Sequence, residues 1–239
     1  MKKTIMISLL STAAMMMFAT SADAKSFDDN TDVGVSFKSD EPTTPGDNKP
    51  YKDNLSLVWK PSSFEFGQQK AVGGVATFNN TVEGKQYLVV NDDRGDETLS
   101  TWDLKAKFSE MKSADGKTKL TSKLVYGLGD LQSYDIGTTI DPETNDFIAP
   151  NPATDEGASS LGTLPSDSKV VLGGNTMTLE AGSTTATTVM NKTEATKTKG
   201  GYATLIKDVK LVATDAKKNL ASGKSFTGQV TWTLDDLQP

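Results

Sequence analysis

Apolar residues recur at every second position through much of this chain. Leu55, Leu57 and Trp59 alternate until Pro61 ends the run, and Phe64 and Phe66 follow before Gly67. Residues 86–90 are rich in β-forming side chains. Trp102, Leu104, Ala106 and Phe108 form a longer alternating set, as do Leu120, Ser122, Leu124, Tyr126 and Leu128. Near the end, Phe226, Gly228, Val230, Trp232 and Leu234 repeat the pattern. A period of two places such residues on one face of a strand. Val170–Leu172 and residues 177–179 flank Gly173-Gly174-Asn175, a spacing that predicts a hairpin. Short strands separated by Gly, Pro, Asn and Asp predict an all-β domain, an antiparallel β-sandwich or a barrel-like fold with long loops.

The start of the chain follows a different rule. Lys2 and Lys3 precede an apolar run over 5–18, and Ala22-Asp23-Ala24 supplies a small-x-small site. That order predicts a cleaved signal peptide over residues 1–24. The run is shorter than the roughly 20 residues a membrane-spanning helix needs, and no later segment is apolar enough to span. Residues 25–53 read as a flexible, acidic, Pro-containing lead-in, with Val33, Val35 and Phe37 alternating in one possible short strand. Residues 54–239 then hold the β domain. Within it, 137–165 and the Thr-rich 181–201 read as long loops, open as to role.

Composition narrows the chemistry. The 239 residues carry a formal charge of −6, with neither histidine nor cysteine. An acidic chain has no general attraction to nucleic acid or anionic lipid. Without cysteine there is no disulfide, lipoprotein anchor or thiol nucleophile. Without histidine there is no Ser-His-Asp triad, no imidazole base and no ordinary zinc site. A glycosidase would need two carboxylates across a cleft, and spacing singles out no pair. Residues Asp141 to Asp146 have oxygen ligands at alternating places, but lack the glycine of a calcium loop. The expectation is a binding protein rather than an enzyme, with no cofactor.

Two motifs stand out. Trp102-Asp103-Leu104 and Trp232-Thr233-Leu234 each set an indole beside a leucine on one face of a strand. If the strands are neighbours, Trp102, Leu104, Trp232 and Leu234 make one apolar patch. It serves either as core or as a platform for a sugar or a partner protein. Just ahead of the first motif, Asp92, Asp93 and Arg94 form a charged turn. They act either as an Arg–carboxylate clamp holding the loop or as a contact to carboxylates of a ligand.

The surroundings of these motifs carry a resemblance. Val90-Asn-Asp-Asp-Arg-Gly95 precedes the first Trp-x-Leu, and Leu55-Ser-Leu-Val-Trp-Lys-Pro61 stands near the start of the domain. The second Trp-x-Leu falls within a few residues of the end, which closes on Gln238-Pro239 without a sortase signal. With the signal peptide and the Pro-rich acidic lead-in, this resembles the WxL-domain surface proteins of low-GC Gram-positive bacteria. The likeness covers nearly the whole mature chain. It departs at Asp103, where Ser or Thr is commoner, and in the Thr-rich stretch. The resemblance implies a secreted protein held non-covalently on the cell wall, with peptidoglycan as ligand. It also implies work beside a companion membrane-anchored surface protein. The alternative is an adaptor or adhesin whose apolar patch docks that companion or a host ligand, with indirect wall contact. Because such a wall is polyanionic, net charge opposes binding, and attachment has to come from apolar contact, hydrogen bonds or a bridging cation.

Overall fold

Alternation in the sequence becomes burial in three dimensions. The computed structural model describes residues 26–34, 42–47, 49–69, 74–94, 100–196, 199–214, 221 and 223–237. The expected signal peptide, Val35, Phe37, Gly95 and Gln238-Pro239 lie outside these residues. In chain order the strands are β1 (Ser26–Gly34), β2 (Thr43–Pro45), β3 (Leu55–Pro61), β4 (Ser63–Phe64), β5 (Ala76–Asn79), β6 (Gln86–Asp92), β7 (Ser100–Phe108), β8 (Met111–Ser113), β9 (Lys119–Leu120), β10 (Ser122–Leu128), β11 (Gln132–Tyr134), β12 (Leu161–Gly162), β13 (Val170–Leu172), β14 (Thr176–Glu180), β15 (Thr187–Thr196), β16 (Gly200–Ala213) and β17 (Phe226–Leu237).

They form two sheets. The first runs β13-β15-β7-β17-β1-β4, with β8 on β17 and β9 on β8. The second runs β12-β11-β16-β6-β3-β2, with β10 and β5 also on β16 and β14 on β10. Neighbours are antiparallel except for a two-residue parallel step between β1 and β4. The core lies between the sheets. Leu124, Tyr126 and Leu128 of β10 enter it while the intervening residues stay half-buried. Phe108, Leu88 and Phe64 join them. Burying one such side chain contributes about 1.5–3 kcal/mol, so period-two patterning fixes which face turns inward.

The structure departs from the sequence expectation in four places. Residues 26–34 of the supposed lead-in form β1, paired over its whole length with β17. The strand is hard to see because its inward side is largely polar: Asp29 and Thr31 are buried with Val33. The Thr-rich stretch 181–201 is mostly β15 and the start of β16 rather than a loop. β-Branched threonine suits a strand without marking a buried face. The expected hairpin around Gly173-Gly174 is a crossing instead. β13 pairs with β15 in the first sheet, and β14 with β10 in the second. Gly173 is required there, because a Cβ would sit 2.1 Å from the Thr188 carbonyl oxygen. Lastly, Trp59 does not share a face with Leu55 and Leu57. A bulge between Leu57 and Trp59 sets Trp59 beside Val58 on the other side of the sheet.

That other side is covered. Tyr51, Val58, Trp59, Tyr87, Val89 and Tyr134 form a second core, closed by Phe147, Ala149 and Leu161 from the 137–165 loop. Asp146 pins the loop down. Its carboxylate accepts the backbone N–H groups of Tyr51, Lys52 and Phe147 at 2.8–2.9 Å. The Trp59 Nε1–H donates to the Tyr134 hydroxyl at 3.2 Å, which donates to the Pro150 carbonyl at 2.7 Å.

Candidate functional site

The two Trp-x-Leu strands are neighbours. β7 and β17 pair so that Leu104 faces Leu234, Trp232 faces Ala106, and Trp102 faces Asp236. All four motif side chains point into the main core, each 0% exposed. Of the two expected roles, core and platform, the structure realises the core: neither ring face is open to a ligand. The Trp102 ring packs on Tyr202 with centroids 5.9 Å apart. Trp232 meets Tyr126 edge-on at 6.4 Å, and Tyr126 stacks against Phe64. Such ring pairs contribute about 0.5–1.5 kcal/mol beyond their buried area.

The two indoles differ in their polar tips. Trp232 Nε1–H donates to the Thr31 hydroxyl at 2.7 Å, and Thr31 donates to the Pro61 carbonyl at 2.7 Å. The second tryptophan is thus locked to β1. Trp102 Nε1–H is buried and meets no acceptor among the described residues.

Charged groups flank both rings. Arg94 grips Asp92 with a two-point fork, Nε–Oδ1 at 2.8 Å and Nη2–Oδ2 at 2.9 Å, and also holds Asp236. Lys192 Nζ lies 3.6 Å from Asp92. Asp236 and Lys192 are the cross-strand neighbours of Trp102 on its two sides. This cluster ties β6 of one sheet to β15 and β17 of the other at the Trp102 end. Burial opposes the Arg94 charge, but Asp92 and Asp236 outweigh it and hold the guanidinium above its ordinary value. Burial pulls Lys192 below its ordinary value, with Asp92 opposing. Beside Trp232, Asp29 of β1 is bound by Lys60 of β3. Burial raises the Asp29 carboxyl, with Lys60 opposing.

Of the expected charged turn, Asp92 and Arg94 come together as a clamp. Asp93 turns away, accepting the Asp53 backbone N–H at 2.7 Å. Sequence reasoning missed Asp236, Lys192, Asp29 and Lys60. Asp236 was within reach, since the period of two through Trp232 and Leu234 runs on to it. The Asp29–Lys60 pair joins two distant segments and carries no local signal.

The same strands turn alternate residues outward. Asp103 and Asp235 stand opposite each other. Lys105 lies between them, 3.4 Å from Asp103 and 2.8 Å from Asp235, and the bond to Asp235 raises its ammonium despite some burial. Thr233 donates to Asp28, and Thr231 to Asn30 at 2.8 Å. Asp28, Asn30 and Lys107 are exposed, and Asp103, Lys105, Thr231, Thr233, Asp235 and Asn191 are half-buried among their sheet neighbours. Among the described residues no group of three or more acidic side chains is placed to hold a metal ion. Asp146 is committed to backbone N–H groups. No helix among them is long and apolar enough to cross a membrane.

No curated protein matches this chain. A family model does, the WxL domain described as surface cell wall-binding, over residues 23–237. With both sheets and both Trp-x-Leu strands inside that match, the chain belongs to the WxL family of cell-surface, wall-binding domains.

Proposed function

We propose that the folded sandwich is itself the attachment unit, held on a Gram-positive cell wall without a covalent bond and with peptidoglycan as its ligand. The observation that carries this reading is the extent of the family match, which runs from β1 to β17 rather than marking a separate module. Trp102, Leu104, Trp232 and Leu234 serve attachment from inside, by fixing β7, β17 and β1 in one sheet. Asp92 and Arg94 serve it by closing the Trp102 end. The protein is a binder and not an enzyme.

Sedimentation of recombinant residues 25–239 with purified peptidoglycan sacculi tests the reading. The protein is expected in the pellet. Without Lys2, Lys3 and Asp23 the net charge of −6 becomes −7, which is unfavourable against a polyanionic wall, so binding should survive or strengthen as salt screens the repulsion. A protein that stays in the supernatant ends the reading. Sedimentation only when a companion surface protein is added would transfer the contact to that companion.

A further inference from the structure

The outer faces of the two sheets are not equivalent. The second sheet carries Val58, Trp59, Tyr87 and Val89 on its outer side, already buried under the 137–165 loop. The first sheet carries mostly polar residues there, exposed or half-buried, with apolar Val171 and Leu237 exposed at the margins. We propose that this outer face of the first sheet, formed by β15, β7, β17 and β1 directly behind the Trp-x-Leu residues, is the surface that meets the wall, and that its occupant is the glycan strand of peptidoglycan. The inference rests on the wall-binding reading and adds to it the place and the chemistry of contact.

Charge and hydrogen-bonding capacity select the occupant. Asp103, Asp235 and Asp28 are set against Lys105 and Lys107, so the face is close to neutral. A phosphate-rich wall polymer would need an excess of Lys or Arg, which this face lacks. A glycan of amino sugars offers hydroxyl and acetamido groups, donors and acceptors together. Asn30 and Asn191 carry amide groups that both donate and accept, while Thr231 and Thr233, whose hydroxyl protons go to Asn30 and Asp28, keep lone pairs that accept. Four strands about 4.8 Å apart make the face roughly 15 Å wide, a flat bed for an extended polymer. The named outer residues include no aromatic ring, so recognition is by hydrogen bonding rather than stacking.

The test uses the absence of cysteine from the chain. Lys107→Cys introduces a lone thiol on the proposed face, and Glu143→Cys introduces one on the loop over the other sheet, where position 143 is exposed. Each variant of residues 25–239 is coupled to a bulky maleimide-polyethylene glycol, and its affinity for sacculi is compared with that of its uncoupled form. Coupling at position 107 should weaken binding at least tenfold, and coupling at 143 should leave it as in the wild type. Loss already in uncoupled Lys107→Cys, with an unchanged melting temperature, counts in favour. Undiminished binding of the 107 conjugate, or equal loss in both conjugates, overturns the assignment of the face while wall binding stands. If the unmodified wild type does not sediment, wall binding itself fails and this inference with it. Sacculi stripped of anionic polymers with hydrofluoric acid should bind at least as well as untreated ones. Binding lost on stripping would overturn the glycan as occupant.

Discussion

Around β3, β6 and β11 the second sheet keeps its outer face dry, whereas the first sheet keeps its outer face wet. On the second, Trp59 is only 8% exposed, although it lies on the far side of its sheet from the main core, because the 137–165 loop closes over it. On the first, Lys105 and its two aspartates stand in the middle of the sheet with solvent at hand. A loop that looks like spare chain is thus the third layer of the fold. The strands that carry the family motif are left with one face to offer. Burial on one side and polarity on the other separate what a residue does for stability from what it can do for binding.

The largest effect expected from this contrast is at Trp59. Trp59→Ala removes the centre of the second core and should cost about 3–5 kcal/mol, read as a lower urea midpoint. Limited proteolysis should then cut within 137–160. Asp146→Ala should come next, at about 1–3 kcal/mol, because buried backbone N–H groups lose their acceptor. Cutting at the same loop without a large change in global stability would show that the loop is a layer that opens by itself.

A smaller effect depends on pH. Burial and the nearby Asp146 carboxylate push the Tyr51 phenol up from its ordinary 10 to about 12. The unfolded chain then releases its proton first, so the stability that Tyr51 confers is lost as pH rises through the window from 10 to about 12. Tyr51→Phe should flatten that part of the melting temperature profile. The smallest effect is on the open face, where Lys107→Ala should change stability by no more than about 0.5 kcal/mol. A large loss there would show that the face is a structural layer after all.

The sequence made one half of this contrast legible. β7, β10 and β17 are readable because they alternate cleanly, whereas the pairing of the two Trp-x-Leu strands stands only as a condition that the structure meets. The covered face is harder to see. A single bulge in β3 moves Trp59 from one core to another, and nothing in Leu-Ser-Leu-Val-Trp announces the extra residue. β1 is hidden by Asp29 and Thr31, whose burial makes sense only once Lys60 and Trp232 are in place. β15 is hidden by threonine. The two hidden strands, β1 and β15, are polar or hydroxyl-bearing and pair with β17 and β7 far away in sequence, which local periodicity cannot register.

The pairing of β1 with β17 also sets an order of events. Asn30 and Thr231, which join across it, are 201 residues apart in the chain. Contacts between such distant positions form late and slowly, because the intervening chain has to be ordered or looped out first. The first sheet lacks its centre, and the Thr31 hydroxyl its indole donor, until β17 is delivered. A chain delivered N-terminus first therefore leaves this sheet unfinished until β17 arrives. The closing of the first sheet in this sense marks the arrival of β17.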